Sequence, residues 1–302
     1  MRNWLKIILF LTCGGAIAAR AGNLDTIGMT LLRATTTNLN GGGIRVGQPE
    51  APENPNAWEV SPAAEQQPTN LFTYYFSSAP YTTITTANTY TNSLGTESHH
   101  GDVVGSYFYG ITNGIATNVA HVDNYDANSY INYYIANSRA ISNRIVNQSF
   151  AFNGYDPSTD QFFDNFAAQY NVLLLSGING LPIDSPATCY NGIAVGTTNI
   201  VSVGPTSDGR CKPDLLAPDV LESSFGTAQV SGAATILLQA ALRGDGGGDT
   251  NSAGDMRTLK ALLLNGAVKP AGWSNTLSQP LDLRYGAGML NVFNSYRQLA
   301  GG

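Results

Sequence analysis

The sequence has few cysteines, few histidines and little charge, and these shortages limit the kinds of protein that it can encode. Only 12% of its 302 residues are charged, and it has three cysteines and three histidines. No cysteine, histidine or carboxylate spacing matches a metal site, so neither a metal nor another cofactor is expected. The net charge of −6 is acidic, which argues against nucleic acid as a partner.

The first 21 residues resemble a secretory signal peptide. A basic start, M-R-N-W-L-K, is followed by an apolar run and then by small residues up to Ala21, the order found in cleavable leaders. Cleavage is expected near Ala18 or Ala21, and removal of residues 1–21 changes the formal net charge from −6 to −9. No later segment has the roughly 18 consecutive apolar residues that a membrane span needs. The sequence therefore predicts a secreted or periplasmic protein without a membrane span.

The remaining chain, residues 22–302, is predicted to form one α/β domain. Strand-like runs alternate with helical patterns, which is typical of a doubly wound, mostly parallel sheet with helices on both faces. The active site of such a fold lies at the carboxyl ends of the strands. Residues 51–97 have little periodicity and are predicted to form an irregular surface excursion. The predicted strands are 44–49, 117–123, 144–151, 171–176 and 192–197, and the predicted helices are about 101–110, 129–140 and 160–169.

Two local features leave alternatives open. Cys13 leaves with the signal peptide, so Cys189 and Cys211 either form a disulfide or remain as free thiols. The three aspartates between residues 244 and 255 suggest calcium, but their spacing matches no EF-hand, and a flexible connector between two helices is favoured.

A serine stands at the predicted start of the longest helical pattern. Residues 221–234 pass from a polar segment into an Ala-rich run, and Ser224 lies at the junction. The first-turn N–H groups of a helix lack intrahelical partners and carry the positive end of the dipole, so they can stabilise an oxyanion. A serine at this place is more often only an N-cap, and the rest of the chain must decide between the two interpretations.

The same run resembles the G-T-S-x-A-x-P-x-V-x-G segment of the subtilisin-like serine proteases, or subtilases. Ser224 matches the serine that attacks the peptide carbonyl. Residues 206–218, T-S-D-G-R-C-K-P-D-L-L-A-P, are similar to the D-G-R-x-K-P-D-x-x-A-P loop that precedes this serine. With further similar segments at residues 185–196 and 285–292, the resemblance covers residues from about 40 to 300.

A serine nucleophile needs a base, and the resemblance places it at His100. Residues 98–110, S-H-H-G-D-V-V-G-S-Y-F-Y-G, are similar to the base helix H-G-T-x-V-A-G-x-x-x-G without a gap. The small residues of this helix are expected to allow close packing on a neighbouring helix. His99 fits the pattern less well, and His121 lies in an alternating run that favours a sheet or rim position.

The third member of the triad is expected at Glu50. Residues 43–50, G-I-R-V-G-Q-P-E, correspond to the G-V-x-V-A-V-x-D strand of subtilases, so a glutamate stands where an aspartate is expected. Its extra methylene moves the carboxylate outward, and the strand or the histidine must shift to keep a hydrogen bond of about 2.6–3.2 Å. The alternative is an ordinary solvated glutamate at a strand end.

The resemblance also suggests how the oxyanion and the substrate are held. Asn179, in S-G-I-N-G, is the candidate oxyanion donor, although it is offset by one residue from the G-N-x-G pattern; an Asn-Gly turn is its ordinary explanation. The segment Ser149, Phe150 and Ala151 is similar to the edge on which an extended substrate lies as an added strand.

These motifs together imply a secreted serine endopeptidase that acts on polypeptides. The competing hypothesis is a non-catalytic binding or structural protein with the same fold, because Glu222 replaces a glycine, Asn179 is offset and Glu50 replaces an aspartate. An esterase that uses the same groups is a third possibility, although no G-x-S-x-G elbow surrounds Ser224.

Overall fold

The computed structural model describes residues 20–90, 94–199, 202–218 and 222–301. Residues 1–19 of the predicted signal peptide lie outside these ranges, so the leader and its cleavage site stay predictions.

A central, mostly parallel sheet organises the described part of the chain. It has eight strands in the order β10-β9-β8-β7-β1-β6-β3-β4, and only the β3–β4 pair is antiparallel. Strands β2 and β5 form a separate two-stranded sheet. The strands are β1 Arg45–Glu50, β2 Ala57–Glu59, β3 Phe72–Phe76, β4 Thr85–Ala87, β5 Thr96–Glu97, β6 His121–Asp126, β7 Ile145–Gln148, β8 Leu173–Gly177, β9 Ile193–Thr197 and β10 Leu215–Ala217.

Helices surround this sheet and complete the α/β fold that the alternation of patterns predicts. A short 3₁₀ turn, Thr69–Leu71, precedes β3, and α4 continues directly into a π-helix, Tyr130–Ile135. The α-helices are α1 Arg20–Thr26, α2 Met29–Thr35, α3 His99–Phe108, α4 Ala127–Ser129, α5 Pro157–Tyr170, α6 Ser223–Arg243, α7 Thr250–Ala253, α8 Met256–Asn265 and α9 Val292–Ala300.

Helix α6 runs through the middle of the protein. It is rich in alanine, glycine and leucine around its whole circumference, a composition typical of a fully buried helix, and it ends where Gly244 adopts a left-handed φ of 89°. By length and composition this 21-residue helix could cross a membrane, but 83% of its most apolar window is buried inside the protein. Its apolar character is therefore accounted for by the protein core.

The prediction for residues 51–97 is only partly right, because four strands, β2 to β5, lie in this segment. The sequence predicts an irregular surface excursion, but β3 (Phe72–Phe76) joins the main sheet beside β6. The reason is aromatic burial: Phe72 and Tyr74 are fully buried, and the Trp58 and Phe76 rings stack 6.4 Å apart. Burying these large side chains outweighs the weak periodicity of the flanking residues. The predicted helix at 129–140 is also shorter and partly of π type.

The structure bears on both open alternatives. Cys189 and Cys211 are both free thiols rather than a disulfide. Each aspartate of the 244–255 segment has a separate local role, because Asp245 pairs with Arg243 while Asp249 and Asp255 cap α7 and α8. This arrangement favours a connector over a shared calcium site.

Candidate active site

Helix α3 begins at the predicted base. The side chain of Ser98 caps the helix by accepting a 2.9 Å hydrogen bond from the Gly101 N–H, and Glu53 accepts the His100 N–H at 3.1 Å. These two bonds satisfy first-turn donors that have no partner within the helix. His100, the second residue of α3, is thereby held in place with only 4% of its surface exposed.

The predicted acid meets the predicted base. Glu50 is the last residue of β1, is fully buried, and accepts a 2.9 Å hydrogen bond through Oε2 from His100 Nδ1. A carboxylate only accepts hydrogen bonds, so the Nδ1 atom carries the proton and the Nε2 atom of a neutral imidazole is left as a base. Glu50 therefore lies at the carboxyl end of a strand, at the position where the subtilase pattern has an aspartate.

Gly101 makes room for the longer acid. A Cβ atom at this position would lie 3.3 Å from Cγ of Glu50 and 3.2 Å from Val60, closer than ordinary van der Waals contact. The His-Gly pair thus leaves the space into which the extra methylene of the glutamate extends. The 2.9 Å hydrogen bond between His100 and Glu50 lies within the predicted range.

The predicted nucleophile lies on the neighbouring helix. Ser224 is the second residue of α6 and is 2% exposed. Helix α3 packs on this end of α6, since the Phe225 ring lies 5.4 Å from Tyr107 and 6.3 Å from the His100 imidazole. However, Nε2 of His100 is buried and makes no hydrogen bond among the described residues. The structure joins Glu50 to His100 and packs the start of α6 against α3 through Phe225, but the Ser224–His100 hydrogen bond is not formed.

Two neighbouring serines anchor the start of α6. Ser223 donates from Oγ to the Ile178 carbonyl at 2.8 Å, and Ser149 donates to the Ser224 carbonyl at 3.1 Å. These contacts tie the helix start to the segments that follow β8 and β7. The backbone N–H of Ser224 lies in the first turn and has no acceptor within the helix, so it is available to an oxyanion.

The pKa of His100 is set by burial and by the surrounding carboxylates. Burial alone lowers the pKa of the imidazole, but the charge and hydrogen bond of Glu50, together with Glu222 and Glu53, raise it above its usual 6.5. The charged form of the imidazole is thus favoured by its surroundings.

The small residues of α3 have a different role from the expected one. Cβ atoms at Gly105 in α3 and at Gly110, two residues after its end, would meet the Glu65 carboxyl group at 3.0 and 2.5 Å. These glycines make room for a buried acid rather than for α6. The close approach between α6 and the segment that follows α3 depends instead on Gly232 of α6, where a Cβ would lie 2.6 Å from the Cβ of Ile115.

The roles predicted for Asn179 in the oxyanion hole and for residues 149–151 in substrate binding stay predictions. Asn179 is half-buried after β8, and the preceding Ile178 turns inward to a small apolar cluster. The predicted substrate edge, Ser149, Phe150 and Ala151, is buried, with exposures of 3%, 3% and 1%.

The other histidines lie elsewhere. His99 is exposed, and His121 begins β6 opposite Arg45, at the other end of the strands from Glu50, with Nε2 2.9 Å from the Thr73 hydroxyl. His121 is therefore a sheet residue, as predicted. Within the described ranges, no group of three or more histidine, cysteine or acidic residues could hold a metal ion.

Solved protease structures share this architecture at low sequence identity. The CspB protease of Clostridium perfringens is 12% identical with a TM-score of 0.65, over 93% of this chain and 99% of that one. The chain has the subtilisin-like protease fold. The patellamide maturation protease PatA is 21% identical with a TM-score of 0.57, over 86% of this chain and 98% of that one. The epidermin leader peptide processing protease EpiP of Staphylococcus aureus is 13% identical with a TM-score of 0.58, over 96% of this chain and 83% of that one.

A comparison with protein-family models gives no match, and neither does a comparison with curated protein sequences. At these identities, the likeness to solved structures establishes the subtilisin-like fold, and the activity has to be judged from the site.

Three residues near Glu50 and His100 were not singled out by the sequence analysis. Glu53 accepts the His100 N–H, and Gln48 and Tyr109 lie behind Glu50. The sequence does contain a signal for Gln48, because it stands two residues before Glu50 on the same strand and alternate residues of a strand share a face. Nothing in the local pattern marks Glu53 or Tyr109.

Proposed function

We propose that the chain is a secreted serine endopeptidase in which Ser224, His100 and Glu50 form a catalytic triad. The observation that carries the proposal is the buried 2.9 Å hydrogen bond between His100 Nδ1 and Glu50 Oε2. An acid and an imidazole at the carboxyl ends of a parallel sheet, beside a serine in the first turn of a helix, supply the parts that acyl transfer requires.

In this mechanism His100 Nε2 takes the proton from the Ser224 hydroxyl while the serine oxygen attacks the peptide carbonyl carbon. The imidazolium then gives that proton to the leaving amine as the C–N bond breaks, and a water molecule releases the acyl group by the reverse sequence. Glu50 holds the Nδ1–H tautomer and stabilises the imidazolium. The Ser224 N–H and the side chain of Asn179 would hold the oxyanion, and Ser149, Phe150 and Ala151 the substrate strand.

The mechanism requires that the Ser224–His100 hydrogen bond forms when substrate binds. Nε2 of His100 makes no hydrogen bond among the described residues, so no other group has to be displaced from this atom. Catalytic hydrogen bonds are often long without substrate and shorten in the complex.

A fluorophosphonate probe tests for an activated serine. We expect the mature protein to be labelled and the Ser224→Ala variant to remain unlabelled. Ser223→Ala is the matched control, because Ser223 is adjacent, also in the first turn of α6, and donates to Ile178 instead. Labelling that survives Ser224→Ala, or that disappears equally in Ser223→Ala, contradicts the assignment of Ser224.

A non-catalytic binding protein is the second candidate. It is favoured by the unformed Ser224–His100 hydrogen bond and by Glu222, whose charge acts on His100 beside the position where the oxyanion would form. Absence of labelling in the folded wild-type protein supports this candidate. If labelling occurs, comparing the hydrolysis of peptide and ester substrates separates an endopeptidase from an esterase.

Export follows from the predicted signal peptide. Mass spectrometry of the mature protein should find an N-terminus just after Ala18 or Ala21, and a mature chain that retains Met1 contradicts this part of the proposal.

A further inference from the structure

A chain of buried hydrogen bonds continues behind the triad acid. Oε1 of Glu50, the oxygen that does not bind His100, accepts a 2.8 Å hydrogen bond from Nε2 of Gln48. The same Nε2 atom donates to the Gly101 carbonyl at 3.0 Å, and Oε1 of Gln48 accepts a 2.6 Å hydrogen bond from the Tyr109 hydroxyl. Gln48, Glu50 and Tyr109 are all completely buried.

The partners allow only one orientation of the Gln48 amide. The Glu50 carboxylate and the Gly101 carbonyl can only accept hydrogen bonds, so both must face the NH₂ group. The carbonyl oxygen of the amide then has to accept from Tyr109. Burial raises the pKa of the Tyr109 hydroxyl well above its usual value, with the Glu65 charge adding to the effect. Tyr109 therefore remains a hydrogen-bond donor throughout the neutral pH range.

Glutamate needs such support more than aspartate does. Its side chain has one more rotatable bond, and each additional torsion adds conformations in which the carboxylate would miss His100. Gln48 also connects both ends of α3 to β1, because it contacts Gly101 beside His100 and Tyr109 just after the helix. The bonds to Gln48 thus restrain the acid and the base relative to each other.

We propose that Gln48, oriented by Tyr109, is a positioning residue that holds the Glu50 carboxylate in hydrogen-bonding distance of His100. The inference rests on the proposed serine protease function and adds to it the residue that lets a glutamate serve as the third triad member.

Kinetics of Gln48→Leu and Tyr109→Phe test the role. Losing a hydrogen bond to a charged group corresponds to about a ten- to hundredfold change in a rate constant. We therefore expect kcat of Gln48→Leu to fall by that factor, with KM nearly unchanged. Tyr109→Phe should give a smaller fall, because it removes one hydroxyl and keeps the ring. Tyr74→Phe is the matched control: its fully buried hydroxyl donates to the Val60 carbonyl instead, and its kcat should equal that of the wild type.

A double-mutant cycle separates positioning from general packing. In a Glu50→Gln background, Gln48→Leu should change kcat by less than about twofold, because a residue that acts through the Glu50 carboxylate has nothing left to position. An equal loss in both backgrounds overturns the proposal, and so does a Tyr74→Phe loss as large as that of Tyr109→Phe.

An NMR titration of His100 provides a readout that does not depend on activity. If Gln48→Leu does not fold, Tyr109→Phe can be titrated alone. Misplacement of Glu50 should lower the pKa of His100 in both variants and leave it unchanged in Tyr74→Phe. If the wild-type protein is inactive but this shift occurs, the protease function fails and the positioning role stands. If the wild-type protein is active and the titration does not respond, the positioning role fails alone.

Discussion

A buried ion pair occupies the loop that resembles the subtilase D-G-R-x-K-P-D segment. Lys212 donates from Nζ to Oδ2 of Asp214 at 2.6 Å and to the Cys189 carbonyl at 2.8 Å. Asp214 also accepts the Ala194 N–H at 2.7 Å, which ties the loop to β9. The two charged residues are 3% and 6% exposed, so neither can be hydrated if its partner is removed.

Lys212→Met should destabilise the protein strongly, because it removes the charge that is hydrogen-bonded to the buried Asp214 carboxylate. Breaking a buried pair in this way typically costs about 3–5 kcal/mol. Since Asp214 keeps its hydrogen bond from Ala194, we expect a loss near the lower end, about 3 kcal/mol, or a Tm lower by about 6–12 °C for a domain of this size. The variant Lys212→Met/Asp214→Asn removes both charges and keeps an acceptor for Ala194, and should lose only about 1 kcal/mol.

Urea unfolding followed by circular dichroism measures these losses. Lys260→Met is the matched control, because Lys260 donates to the carbonyls of Tyr190 and Gly192 at 2.7 and 2.6 Å, and its loss leaves the direct Lys212–Asp214 pair in place. It should cost about 1 kcal/mol. The reasoning is refuted if Lys212→Met costs no more than Lys260→Met, or if the double variant is no more stable than Lys212→Met.

Two further predictions concern groups around the triad. Glu50→Gln should lower kcat/KM by up to about 10⁴-fold, since the imidazolium loses its carboxylate. It should also move the acid limb of the pH–rate profile to lower pH, because Glu50 raises the pKa of His100. An acid limb that stays at the same pH contradicts this prediction. Burial raises the pKa of Asp102 to about 8, although the Ser61 N–H opposes the shift. The folded state therefore retains a proton that the unfolded chain loses near 3.8, so the free energy of unfolding should fall as pH rises from about 4 to 8. Asp102→Asn should flatten this dependence in urea unfolding, and an unchanged slope refutes the reasoning.

Much of the fold could be predicted from local patterns. The apolar run before Ser176 and the alternation before Glu50 mark buried strands, and the predicted bounds of β1, β8 and β9 agree with the structure to within about two residues. Helix α3 could be located from the resemblance of residues 98–110 to the base helix, although it begins at His99 rather than at about residue 101. These features depend on neighbours a few residues apart, and such contacts can be inferred from sequence.

The aromatic strand β3 could not be predicted in the same way. Its run, F-T-Y-Y-F, lies in a polar segment with little periodicity. What makes it a strand is pairing with β6, about 50 residues further along the chain, and the burial of Phe72 and Tyr74. Long-range pairing of this kind leaves little trace in local composition.

By itself, the sequence determined which residues end a strand or begin a helix, and hence that Glu50, His100 and Ser224 each stand at the end or start of an element. Only the tertiary structure decided that the Glu50 carboxylate reaches Nδ1 of His100 and that Gln48 donates to its other oxygen while accepting from Tyr109. It also decided that Nε2 of His100 makes no hydrogen bond within the described part of the chain. The reason is physical: element ends follow from local propensity and capping, whereas hydrogen bonds between residues about 50 apart require the packing of the whole sheet and its helices.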